Sequence, residues 1–149
     1  MEIKTKALGT VSVPDDQLLT IPQGLFGFES YTQYVLLPTG YEPFLWLQSV
    51  QKDSLAFLVV DPFLVCADYE ADIDDRELAK IGVSSPSDVA VFALITLPRD
   101  KGDITVNLQG PLIVNISNRQ CMQAVLSDSR WKIKQVLPHP LSGTKGDTC

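Results

Sequence analysis

Apolar and polar residues alternate with a period of two along most of this chain, the mark of strands with one buried face. Ile3, Thr5 and Ala7 alternate with Lys4 and Lys6. Gly9 offers a turn, Val11 and Val13 resume the alternation, and Pro14-Asp15-Asp16 stops it with turn residues. Residues 18–21 predict a short strand, and residues 22–29 a glycine-rich loop with three large apolar side chains. Residues 34–37 predict a strand ended by Pro38-Thr39-Gly40. Residues 44–50 and 55–60 are almost continuously apolar, and the polar turn Gln51-Lys52-Asp53-Ser54 makes them a hairpin. Strands apolar on both faces are covered on both sides, so this hairpin belongs inside the protein.

In the second half, Asp61-Pro62 closes the hairpin, and residues 63–73 predict a strand with acidic alternation. Residues 74–81 predict a short helix: acidic residues lie in its first turn, Lys80 in its last, and Gly82 follows as a C-cap. Residues 89–97 are β-branched and aromatic enough for a long strand, ended by the turn 98–103. Residues 104–108 and 112–116 predict two strands separated by Gln109-Gly110-Pro111, and residues 121–126 another. Residues 131–137 fit a strand and a short helix equally. The expected fold class is all-β, mainly antiparallel and closed or nearly closed, with one or two short helices. Residues 1–137 form its one domain, and residues 138–149, rich in Pro, Gly, Ser, Thr and Lys, a flexible C-terminal tail.

Composition narrows the function. The chain has 149 residues, 45% apolar and 20% charged, which suits one globular domain and argues against disorder. The formal net charge of -6 removes the bulk attraction that phosphate backbones require, so no direct nucleic-acid binding is expected. The same charge suits a basic protein partner. The N-terminus Met-Glu-Ile-Lys-Thr-Lys has no apolar stretch of the signal-peptide kind, and the longest mostly apolar run, residues 89–97, is too short to span a bilayer. A cytoplasmic protein that does not engage membranes is expected. Cys66, Cys121 and Cys149 are widely spaced, which reads as two small core residues and one free terminal thiol, in a reducing compartment.

Catalytic and metal chemistry finds little support. The only histidine, His139, stands between two prolines in the tail, where a general base would lack a fixed position. Asp68, Glu70, Asp72 and Asp74 imitate the start of an EF-hand loop, but that loop's glycine position holds Ile73 and its final glutamate position Ala79. On a strand this spacing puts the four carboxylates on one solvent face. Neither an enzyme nor a cofactor or metal site is expected. The loop Gly24-Leu25-Phe26-Gly27-Phe28-Glu29 is the most informative segment. Its apolar side chains either fold into the core as a lid or wait for a partner.

These residues carry a family resemblance. Gly24-Leu25-Phe26-Gly27-Phe28-Glu29 resembles the FliW motif Gly-Ile/Leu-Pro-Gly-Phe-Glu, with Phe26 where the family usually has proline. Residues 44–50, followed by 55–63 with its Pro62-Phe63 ending, resemble the family's apolar hairpin. Asp68-Tyr69-Glu70 and residues 107–115 resemble two further segments, and order and spacing agree from Met1 to about Leu137. The resemblance implies a small β-barrel-like fold in a cytoplasmic flagellar assembly factor that binds flagellin and the RNA-binding translational repressor CsrA. Flagellin export would free it to bind CsrA, which then releases the flagellin message. On this reading Leu25, Phe26, Phe28 and Glu29 meet flagellin. Asp68, Glu70, Asp72 and Asp74 meet CsrA, a basic protein. The alternatives are a flavin-binding protein or enzyme on a small barrel, and a structural assembly protein with one partner.

Overall fold

A computed structural model describes residues 1–138. His139, Cys149 and all of the expected tail except Pro138 lie outside the described residues. Strands β1 (Glu2–Thr5) and β2 (Gly9–Ser12) form a hairpin of their own, with Ile3 opposite Val11. The remaining strands form one antiparallel sheet. They are β3 (Leu19–Thr20), β4 (Gln33–Pro38), β5 (Leu45–Ser49), β6 (Ala56–Val60), β7 (Val89–Thr96), β8 (Thr105–Asn115), β9 (Cys121–Gln123) and β10 (Gln135–Val136). The spatial order is β10-β8-β7-β6-β5-β4-β3, and β9 also pairs with β8. A single parallel bridge between Thr20 and Gln120 brings β3 back to the start of β9. The sheet therefore curls into a nearly closed barrel, as the turn spacing and the resemblance led us to expect.

The interior is apolar from every side. Leu19, Tyr34, Leu47, Val59, Leu112 and Cys121 meet there, all fully buried. Outside, the β1–β2 hairpin lays Ile3 and Val13 on Val35, Leu37 and Trp46 of β4 and β5. The doubly apolar hairpin β5–β6 thus lies mid-sheet, and β5 is covered on both faces, as its composition requires.

Two expectations fail for instructive reasons. Residues 63–73 are not a strand. Pro62 opens a 3-10 turn (Pro62–Leu64) that Asp61 caps by accepting from the Phe63 N–H at 2.9 Å. Residues 70–73 then run without joining any ladder. The alternation in the sequence is real, because this segment crosses the outer face of the barrel. Tyr69 packs on Trp131, ring centroids 4.8 Å apart, and donates its hydroxyl to the Leu108 carbonyl at 2.8 Å. Between them, Glu70, Asp72 and Asp74 point to solvent. Burial against a surface imposes a period of two as well as pairing does.

Second, residues 104–108 and 112–116 are one strand, β8, and Gln109-Gly110-Pro111 do not break it. Phe92 faces Leu112 while Leu94 faces Asn107, so extra β8 residues bulge opposite Ala93. The Asn107 side chain holds the bulge by accepting from the Gln109 and Gly110 N–H groups at 3.1 and 2.8 Å. The bulge lets β8 serve two partners on one edge, β10 near its start and β9 near its end. The segment 131–137, open between two readings, contributes β10.

The expected helix is present as α1 (Asp75–Ala79), with Asp74 as its N-cap accepting from the Arg76 N–H at 2.9 Å. Below it, Ile81 packs on Ile113 and Ala124. Cys66 and Cys121 are both buried; Cys121 is a free thiol, as its reading as a core residue expects, whereas Cys66 is disulfide-bonded, which that reading did not include.

Tyr34 offers a pH test of the core. Burial, helped by neighbouring Tyr31, pushes its phenol from 10.0 up to about 12. Burial raises Tyr69 as well. Above the ordinary tyrosine pKa the unfolded chain releases protons that the folded chain keeps, so stability should fall as pH rises through this window. Urea unfolding midpoints at about pH 9 and about pH 11 test the sign: the midpoint drops at the higher pH, and equal midpoints would refute it.

Candidate functional site

Around β9 the barrel seam opens. β3 runs beside the chain only to Thr20, whose N–H donates to the Arg119 carbonyl at 3.0 Å. Pro22 then begins the loop 22–29, which leaves the seam and folds back on itself. Glu29 approaches so closely that a Cβ on Gly24, whose φ is +69°, would lie 2.5 Å from the Glu29 Cα. The Gly27 N–H donates to the Glu29 carboxylate at 2.7 Å, and Leu25 bridges to Phe28. The loop is tied to β9 through one side chain. Gln123 accepts from the Phe26 N–H at 2.9 Å and donates to the Gly110 carbonyl of the β8 bulge at 3.0 Å.

This fold divides the loop's apolar residues. Leu25 is 1% exposed and belongs to the barrel core, so it is a lid residue. Phe26 is 60% exposed. Phe28, at 38%, sits edge-on to Phe57 with ring centroids 5.0 Å apart.

Across the seam lie the extended segment ending at Asp74 and helix α1. A groove of about 900 Å³ separates them from the loop. Its lining includes Phe26, Met122, Gln123 and Val125, together with Glu29, Asp72, Asp74 and Glu77. Two segments far apart in sequence, the loop and half of the acidic stretch, therefore share one site. Four carboxylates and one lysine, Lys80, line the groove, and Lys80 is held by Glu77 at 3.1 Å. Such a wall repels phosphate, which a flavin nucleotide would bring. Burial pushes the Cys121 thiol up to about 12, against a smaller lowering by Arg119, so this lining residue stays a neutral thiol and a poor nucleophile. Among the described residues no group of three or more His, Cys, Asp or Glu side chains is placed to hold a metal ion.

Asp68 and Glu70 stand apart from this groove. They flank Arg130, at 3.8 and 3.7 Å, with Asp128 at 3.6 Å, and the guanidinium lies 4.2 Å over the Trp131 ring. Their charge is answered within the chain, whereas Asp72 is left facing the groove. The sequence reading missed Met122, Gln123 and Val125, because a strand of apolar and amide residues looks like core. Val125, two residues beyond the end of β9, is 67% exposed, and nothing in the sequence signals it.

Comparison with known proteins agrees with this architecture. The family model described as FliW protein matches residues 2–137. A flagellar assembly factor FliW of Treponema denticola is 52% identical over 134 residues, covering 90% of this chain and 91% of the relative. That of Treponema pallidum is 48% identical over 134 residues, covering 90% and 89%. A crystal structure of the flagellar assembly factor FliW superposes with a TM-score of 0.84 at 32% identity, covering 93% of this chain and 98% of the other. No helix among the described residues is long and apolar enough to cross a membrane.

Proposed function

The chain belongs to the FliW family of flagellar assembly factors, and from that premise we propose that it binds flagellin and the translational repressor CsrA in turn. Residues 1–137 carry this activity as one cytoplasmic domain without a catalytic role. Free flagellin occupies the protein. Once flagellin is exported, the protein captures CsrA and lifts its repression of flagellin synthesis.

The observation that supports the reading is the common groove. Phe26, the exposed apolar anchor, lines it together with Asp72 and Asp74, the carboxylates suited to a basic partner. Had these features stood on separate faces, two partners could bind independently. In one groove of about 900 Å³, the first occupant excludes the second. Asp68 and Glu70, paired to Arg130 outside the groove, contribute mainly to association rate, since exposed pairs are worth only about 0.2–1 kcal/mol.

Titrating flagellin into a preformed complex with CsrA should release CsrA in proportion to the flagellin added. A stable ternary complex at saturating concentrations of both partners would overturn the shared-groove reading.

A further inference from the structure

The groove has a feature that its side chains do not use: an unpaired strand edge. β8 and β9 pair with Leu112 opposite Gln123 and Val114 opposite Cys121. The Ala124 N–H donates to the Pro111 carbonyl and the Leu126 N–H to the Gln109 carbonyl, at 2.9 and 2.8 Å, and the Asn115 N–H reaches the Gln120 carbonyl at 2.9 Å. Even-numbered residues thus face β8, so the backbone groups of Gln123 and Val125 point the other way. β3 would cover them if it continued along the seam. It touches β9 only at the Thr20–Gln120 bridge, and the Ile21 N–H already turns to the Thr32 carbonyl at 2.7 Å. The loop returns only to the Gln123 side chain. Among the described residues no backbone group pairs with Val125.

We propose that the groove accepts an extended, basic segment of the partner as an added strand on the outer edge of β9, paired through Gln123 and Val125. A docked helix satisfies its own backbone and would strip water from the two unpaired residues without replacing it. Burying an unsatisfied donor or acceptor is unfavourable, whereas an added strand supplies the missing bonds. The occupant's charge follows from the walls, where no cation among the described residues lies within ion-pair distance of Glu29, Asp72 or Asp74. Its side chains alternate, one row resting on Phe26 and Val125 and the flanking Lys or Arg residues reaching the carboxylates. The inference rests on the reading of the groove as the partner site and adds the form in which the partner enters it.

Amide hydrogen exchange on the full chain, alone and saturated with flagellin or with CsrA, tests it. The Gln123 and Val125 amides should exchange at least about tenfold more slowly in one of the complexes, reporting new backbone bonds. A complex that forms while both amides keep their free-chain rates overturns the added strand and leaves the proposed function standing. Failure of both proteins to bind overturns the function and this inference with it. Simple covering is separated by a pair of variants. Val125→Pro removes an N–H that β8 does not use and should bind at least about tenfold more weakly than Val125→Ala, which keeps it. Equal affinities for the two overturn the proposal.

Discussion

Replacing Gly24 with alanine should destabilise the protein by several kcal/mol, although the change adds only one methyl group, at a buried position. Two costs combine. A φ of +69° is left-handed and costs an L-residue with a Cβ roughly 1–2 kcal/mol. The new Cβ would also sit 2.5 Å from the Glu29 Cα and 2.8 Å from the Glu29 carbonyl oxygen, where backbone must move, and forced overpacking costs typically about 1–3 kcal/mol. For a chain of this size the sum corresponds to a fall in Tm of roughly 5–15 °C. Gly27→Ala is the internal control. Its φ of +88° carries a similar conformational cost, but nothing lies within 4 Å of the added Cβ. Thermal melts of both variants should therefore differ clearly, with Gly24→Ala the lower. Equal Tm values would mean that the loop does not fold back on Glu29 as described. Because Glu29, Phe26 and Gly24 all line the groove, Gly24→Ala should weaken partner binding too.

Leu25 and Phe26 are neighbours with opposite expected outcomes. Leu25→Ala removes a fully buried side chain from the barrel interior and should cost about 2–5 kcal/mol of stability. Phe26→Ala removes a ring that is 60% exposed, so stability should change by only about 0.5 kcal/mol or less. Its effect should appear in binding instead. An aromatic anchor in the middle of an interface is worth about 2 kcal/mol or more, a loss of affinity of roughly thirtyfold. Urea unfolding and calorimetric titration with flagellin, run on both variants, separate the two roles. The reading fails if Phe26→Ala melts early and its folded fraction binds flagellin as tightly as before. The N–H that Phe26 gives to Gln123 belongs to the backbone and survives the substitution, so the loop's tether is not at stake.

What the sequence determined by itself is local. Turn residues and a period of two located nearly every strand, Asp74 and Gly82 bracketed α1, and the continuous apolarity of residues 44–50 and 55–60 predicted a hairpin inside the protein, covered on both sides. These features follow from interactions between residues close in the chain and from which face of a segment avoids water. The same logic misread residues 63–73, because a chain lying across a sheet alternates like a strand within one. It also divided β8 at Gly110 and Pro111, because bulge residues look like turn residues until their partner is known. The fate of the loop's apolar residues was open in the sequence for the same reason. Leu25 is buried only because Leu19, Leu47 and Cys121 close around it, and Phe26 is exposed only because Glu29 turns the loop back over Gly24. The groove was beyond local reasoning altogether. Residues 22–29, 72–80 and 121–127 meet because β3 reaches β9 at a single bridge, and closing a sheet on itself joins segments a hundred residues apart. Which carboxylates stay available to a partner was decided there too, by where Arg130 came to rest: beside Asp68 and Glu70, and not beside Asp72.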